Sequence, residues 1–318
     1  MPEKKSAGEP DLGVSIAGID MKTPLVLASG VFGYGFEIPR VEGFDFNDVG
    51  AVVLKSVTLR PREGNPPPRI AETPAGVLNS IGMQNPGVEF VAKNYLPQLK
   101  KIPTNFIANI AGENIDEYVQ VARILADSDS IKALEVNVSC PNVEWGCCFG
   151  VNPGDVFSVV SGVKSVCDKP VFVKLAPAVT DIQNVASACV SAHADAISMG
   201  NTYSGMVIDT RRRRPLLGNN TGGLSGPAIR PLTVFSVFRV WQGTHKSAVP
   251  IVAFGGVATA NDAIEMMLAG ASAVGVGTAL FSNTHICSDI AEGLRAYLKS
   301  QNESKVSDIV GTVKLNQT

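Results

Sequence analysis

Residues 250–278 read PIVAFGGVATANDAIEMMLAGASAVGVGT, and this stretch decides the fold. Two apolar runs, Pro250–Gly255 and Ala273–Gly277, flank a segment of helical periodicity, Ala260–Leu268. Neither run alternates apolar with polar residues. That is the pattern of strands buried on both faces, as in a parallel sheet. Parallel neighbours need a crossover of about a dozen residues or more, and the helical segment supplies it. The runs end in Gly255-Gly256 and Gly277-Thr278.

The same unit recurs upstream. Further apolar runs are predicted as strands at Pro24–Ser29, Ala51–Ser56, Asn105–Ile110, Ala133–Val138, Val171–Leu175 and Ala194–Met199. Helices are predicted over Ile115–Ala126, Gly154–Val166, Asp181–Ser191, Pro231–Gln242 and His285–Lys299. Asp181 and Asn261 stand near helix starts, where a side chain can cap free N–H groups. A doubly wound open sheet is the alternative to a closed barrel. Polar or glycine residues end nearly every run, and in a barrel they converge on one rim. The prediction is therefore an α/β fold, a (β/α)8 TIM barrel. It carries a small hairpin at Val14–Met21, expected to close the barrel bottom, and an insertion after strand six, Tyr203–Ile229, with two strand-like pieces. Residues 14–318 form one domain, and residues 1–13 read as a flexible N-terminal tail.

Composition narrows the function. Hydrophobic residues make up 45 % of the 318, aromatics only 6 %, and the formal net charge is -2. No basic field invites nucleic acid, and the run Arg211–Arg214 reads as a solvated part of the insertion. No apolar run of ~20 residues spans a membrane, and the first residues lack the apolar core of a signal peptide. Six cysteines fit no zinc or iron–sulfur spacing, which suits a reducing cytoplasm. Cys167, Cys189 and Cys287 fall in helical stretches and read as packing residues.

Three features carry chemistry. The glycine turns after the last two strands are ordinary turns or a phosphate site. No Rossmann or P-loop spacing is present, which favours a mononucleotide over a dinucleotide. Lys55 and Lys174 end apolar strands, as solvated termini or as cations facing an anion. The sharpest segment is Glu135-Val136-Asn137-Val138-Ser139-Cys140-Pro141-Asn142. It sets a thiol between two carboxamides, and Cys140 there reads as nucleophile, base or packing residue. His193, His245 and His285 lie outside the strand-end motifs, which argues against a Cys/His hydrolase.

With Asn79–Gly87, Lys55–Thr58, Lys174-Leu175, Asn201-Thr202 and Gly222–Pro227, that segment resembles the class 1 dihydroorotate dehydrogenases. The likeness runs from about Val14 to Phe281. Ala71–Gly76 and Thr221–Gly226 are most similar to the catalytic subunit of the NAD-linked type, 1B, rather than to the fumarate-linked type, 1A. The membrane-bound quinone class carries Ser where this chain has Cys140. Dihydropyrimidine dehydrogenases carry His where this chain has Asn142.

The resemblance implies FMN-dependent oxidation of (S)-dihydroorotate to orotate in pyrimidine biosynthesis, with Cys140 as the base. It implies substrate contacts at Lys55, Asn79, Ile81, Gly82, Met83, Asn137, Asn142, Asn201 and Thr202. FMN contacts are implied at Ala28, Ser29, Lys55, Ser56, Asn109, Asn137, Lys174, Gly226, Gly255, Gly256, Gly277 and Thr278. It further implies a homodimer core and a partner subunit with FAD and a [2Fe–2S] cluster, forming a heterotetramer that passes electrons to NAD. No metal site is expected in this chain. Glu144–Gly150 departs from the family's glycine-rich, basic loop. Its Cys147 and Cys148 read as filling of a lid, with a redox switch as the rival reading. A phosphate-binding barrel lyase or isomerase without redox chemistry is the competing class; it leaves the Asn/Cys/Asn cluster unexplained, as does a non-catalytic binding protein.

Overall fold

The computed structural model describes residues 9–35, 37, 44–139 and 149–316. Eight parallel strands close into a barrel: β1 (Leu25–Leu27), β2 (Ala51–Val53), β3 (Asn105–Ile110), β4 (Ala133–Asn137), β5 (Val171–Leu175), β6 (Ala196–Met199), β7 (Ile251–Phe254) and β8 (Ala273–Val276). They neighbour one another in chain order, and β8 returns to β1 through Val274↔Leu25. Two strands, Asn105–Ile110 and Val171–Leu175, match the sequence prediction at both ends, and each of the others is trimmed by a residue or more. Ala194 and Asp195 drop out of the sixth strand. Asp195 instead accepts the Val171 N–H at 2.7 Å and pairs with Lys164 at 2.8 Å.

Helices Ile115–Ala126, Pro153–Lys164, Ile182–Ser191, Arg230–Thr244, Ala260–Leu268 and Ile286–Gln301 surround the barrel. Asp181 caps its helix as expected, accepting from Asn184 N. The expected cap Asn261 does not act. Thr259 is extended at φ -143° and accepts from Asp262 N, so Asn261 already lies inside the first turn. Cys189 and Cys287 sit buried in helices, but Cys167 lies in the loop after Lys164, buried all the same. A helical stretch absent from the prediction covers Val88–Phe90, a wide π turn at Val91–Tyr95, and Leu96–Leu99. Pro97 lacks the N–H that an α-helix would direct at Lys93, which accounts for the widened turn.

The barrel bottom is closed by the hairpin Val14–Ile16/Ile19–Met21. Ile16, Ile19 and Met21 pack on the inward layer Val26, Val53, Ile107, Phe172 and Val252. Each such buried side chain contributes about 1.5–3 kcal/mol. Asn105 Nδ2 donates to Asp20 O at 3.0 Å and ties hairpin to barrel. Nearby, Asp11 and Leu12 belong to the packed body, contrary to the expected tail. Asp11 N donates to Ser304 O at 2.9 Å, and Leu12 is buried.

At the opposite end the insertion holds the two strand pieces expected around Arg211–Arg214, Ile208–Asp209 paired with Arg214–Pro215, and two more, Tyr203–Gly205 and Gly222–Ser225. Arg211 to Arg214 are all exposed. Asp209 Oδ1 accepts the N–H groups of Arg211 and Arg212 and shapes their turn. A second, unexpected hairpin, Ile70–Thr73/Gly76–Asn79, pairs with Gly222–Ser225, and the resulting four-stranded sheet roofs the barrel mouth. Among the described residues no helix is long and apolar enough to cross a membrane.

Candidate active site

Side chains alternate along a strand, so two residues beyond each inward apolar residue lies another inward one. Above the hairpin plug, this step leads from Val53 to Lys55 and from Ile107 to Asn109. It leads likewise from Ala133 to Glu135 and Asn137, from Phe172 to Lys174 and from Ala196 to Ser198. The barrel interior thus changes from apolar to polar within one layer. Buried polar groups need partners there. Asn109 Nδ2 donates to Glu135 Oε2 at 2.5 Å, and Lys174 Nζ lies 3.9 Å from the same oxygen. Lys174 also stands over the Phe254 ring, 5.1 Å from its centroid.

The ends of β4 and β6 are stitched together. Asn137 Oδ1 accepts from Ser139 N at 3.3 Å and Ser139 Oγ at 3.1 Å. Asn201 Nδ2 donates to Ser139 O at 3.1 Å and to its Oγ at 2.9 Å. Asn201 Oδ1 accepts from Thr202 N at 2.8 Å. Tyr118, wholly buried, donates to Asn137 O at 2.8 Å from the outer helix layer. Two carboxamides are thereby fixed beside Ser139, the residue preceding Cys140. Across the mouth, Ser29 Oγ donates to Leu54 O at 2.8 Å and joins the ends of β1 and β2.

Gly255 and Gly256 have φ of 146° and 82°, conformations that a side chain would strain. A Cβ on Gly256 would press on Arg230 N at 2.7 Å. Arg230 is itself held by Asp262, whose Oδ2 accepts from Ala258 N at 3.0 Å, so the turn is braced from outside. Gly277 faces open space, its nearest would-be contact being Ala28 Cβ at 3.9 Å.

The roof side is set by Asn85. Its Nδ2 donates to Thr58 Oγ1 at 2.8 Å and Met83 O at 2.9 Å, and its Oδ1 accepts from Thr58 N at 3.2 Å and Gly87 N at 2.9 Å. This holds Met83 in a left-handed conformation, φ 57°, against the cavity.

One cavity of about 380 Å³ collects these ends, within the ~300–1,000 Å³ usual for small-molecule sites. Of the residues named from the sequence, the structure brings together Ala28, Ser29, Lys55, Ser56, Asn79, Ile81, Gly82, Met83, Asn137, Lys174, Asn201, Thr202, Gly226, Gly255, Gly256, Gly277 and Thr278, all lining this cavity. Asn109 does not. It is wholly buried below the floor, and its Oδ1 has no hydrogen-bond partner among the described residues. Cys140, Asn142, Cys147 and Cys148 lie outside the described residues, as does most of the expected lid Glu144–Gly150.

Sequence reasoning missed several lining residues, among them Ile70, Val77, Gly200, Phe254, Gly275 and Phe281. Strand parity signals Phe254 and Gly275, which share the inner face with Gly256 and Gly277. Ile70 and Val77 arrive on the unpredicted hairpin.

The residues present fit a flavin mononucleotide. Glycine backbone lining the cavity at the β7 and β8 ends suits a phosphate. Lys174, only 7 % exposed, offers a cation to an anionic ring edge. The described lining contains no carboxylate that would repel either.

The family model for dihydroorotate dehydrogenase matches residues 11–298. A protein of Desulforamulus reducens described as dihydroorotate dehydrogenase B (NAD(+)), catalytic subunit, is 47 % identical over 307 residues, covering 96 % of this chain and 99 % of that one. A protein of the same description from Desulforudis audaxviator is 48 % identical over 299 residues, covering 94 % and 96 %. A DHODH crystal structure from Eimeria tenella, in complex with ferulenol, superposes with a TM-score of 0.80 at 22 % identity, covering 98 % of this chain and 91 % of that one; at that identity it speaks for the fold alone. On these matches, made along nearly the whole chain, the protein belongs to the dihydroorotate dehydrogenase family.

Proposed function

We propose that this chain oxidises (S)-dihydroorotate to orotate in pyrimidine biosynthesis and hands the electrons, through a partner subunit, to NAD. The observation that carries the reading is the single cavity at the barrel mouth, where two cations, fixed carboxamides and the glycine turns meet. When bound, FMN supplies the two-electron acceptor for the C6 hydride. The turns Gly255-Gly256 and Gly277-Thr278 would hold its phosphate, with Ala28, Ser29, Ser56, Gly226 and Lys174 around the rest. Asn109 would act from beneath, through Glu135 and Lys174.

Cys140 takes the C5 proton. Asn79, Asn137, Asn142 and Asn201 present donors and acceptors to the pyrimidine imide and carboxylate, and Thr202, Ile81, Gly82 and Met83 complete that wall. Lys55 adds a cation from the β2 end. The roof sheet contributes Asn79 and Val77 to the cavity and so narrows its access to water.

The relatives' description as an NAD-linked catalytic subunit supports a separate electron-transfer partner. In our reading that partner carries FAD and a [2Fe–2S] cluster and joins a homodimer of this chain. Unpaired, buried Cys167, Cys189 and Cys287 suit a reducing cytoplasm. An anaerobic visible spectrum tests the reading. The purified chain should show a flavin spectrum that bleaches on adding dihydroorotate. A flavin spectrum that persists, even with the partner supplied, would overturn the substrate. A colourless protein that cannot be reconstituted with FMN would overturn the cofactor and favour a non-redox barrel.

A further inference from the structure

Beneath the cavity lies a charged group that the reaction does not use. Glu135 is wholly buried on the inner face of β4, between Ala133 of the plug layer and Asn137 of the cavity wall. Its Oε2 accepts from Asn109 and faces Lys174 Nζ at 3.9 Å, while its Oε1 has no hydrogen-bond partner among the described residues. A carboxylate in a barrel interior is costly, and an apolar side chain of similar size generally serves stability as well or better. Stability alone therefore gives little reason for an ionised group at this position. No carboxylate lines the cavity among the described residues, so Glu135 is the acidic group set directly against its cationic floor.

We propose that Glu135 is a positioning residue: it fixes Lys174 and Asn109 under the cavity and offsets the lysine's charge, setting how strongly the site favours the reduced, more anionic form of the flavin. The inference rests on the reading that FMN occupies the cavity. Lys174 reaches the cavity from β5 with Phe254 on one side and Glu135 on the other. Neutralising Glu135 would leave the positive charge uncompensated in a low-dielectric setting. That would favour an anion above it.

The test compares the midpoint potential of FMN in the loaded wild-type chain and in Glu135→Gln, by equilibration with a reference dye. The variant should bind the reduced form at least about tenfold better relative to the oxidised form, a rise of roughly 30 mV for a two-electron couple. A purely structural role would weaken both forms alike. An unmoved or lowered potential overturns the proposal. A second measurement needs no flavin: urea unfolding of the apoprotein for Glu135→Gln, Lys174→Met and the pair. Each single change should lose stability and the double variant should recover part of it; additive losses overturn the pairing. If Glu135→Gln does not fold, the uncharged double variant should, and failure of both counts against the proposal. A chain that cannot bind FMN would sink the cofactor reading, while the apoprotein cycle still decides the pairing.

Discussion

Replacing Asn85 by Ala should damage the site from outside it. The side chain is 5 % exposed and makes four hydrogen bonds that tie the segment after β2 to the roof loop. Alanine removes all four and leaves Thr58 N, Gly87 N and Met83 O to find other partners. At about 0.5–1.5 kcal/mol net per bond, the loss is roughly 2–6 kcal/mol. With a urea slope of about 3 kcal/mol/M, the unfolding midpoint should fall by roughly 0.7–2 M. Met83 would also lose the contact that holds its left-handed backbone, a conformation costing about 1–3 kcal/mol when unsupported. Gly82 and Met83 line the cavity, so KM for dihydroorotate should rise several-fold while FMN stays bound. Asn94→Ala is the control, because its bond to Phe90 O at 2.9 Å is exposed; it should change stability by under about 0.5 kcal/mol. If Asn85→Ala costs no more than Asn94→Ala, or leaves KM untouched, the bracing argument is refuted.

Three further outcomes are expected. Cys140→Ala should abolish turnover yet retain FMN, and the wild-type rate should climb with pH from neutral into the mildly alkaline range as thiolate forms; full activity in the variant, or a flat profile, removes the thiol base. In Gly275→Ala the new methyl would run into the Phe254 ring. Overpacking of this kind costs about 1–3 kcal/mol, and FMN affinity should fall with it, whereas wild-type behaviour in denaturation and FMN titration would show the floor to be soft. Burial pushes the Cys189 and Cys287 thiols up to about 12 and also raises that of Cys167. Iodoacetamide at pH 8 should therefore spare all three in the native chain, and mass-spectrometric labelling of any of them would contradict their packing role.

The barrel was legible because its strands are apolar on both sides, and a sequence states that directly. What escaped prediction depends on distant partners or on one local interruption. The hairpin Ile70–Thr73/Gly76–Asn79 buries only Ala71 and Leu78 well, while Ile70 is 59 % exposed. Its stability comes from pairing with Gly222–Ser225, so its own stretch carries little periodic signal. The Val88–Leu99 helix does repeat apolar residues at helical spacing, but Pro97 breaks the pattern. Thr259 displaced Asn261 as a cap because capping depends on where the chain stops being extended, and composition does not mark that point to within two residues.

The site is legible to a different depth. Residues beyond the strand ends announce themselves, since Gly, Asn, Ser and Lys after an apolar run are conspicuous. Glu135, Phe254 and Gly275 do not, because each stands inside its strand. Parity finds them. Counting in twos from the residues that meet the hairpin plug reaches Glu135 from Ala133, Phe254 from Val252 and Gly275 from Ala273. The three are linked in space: Gly275 leaves room for Phe254, Phe254 faces Lys174, and Lys174 faces Glu135. A change at any one should reach the cavity through the same lysine. The mouth's chemistry is therefore set partly by residues inside the strands, where the apolar filling of the barrel stops and Glu135 begins the polar side among the described residues.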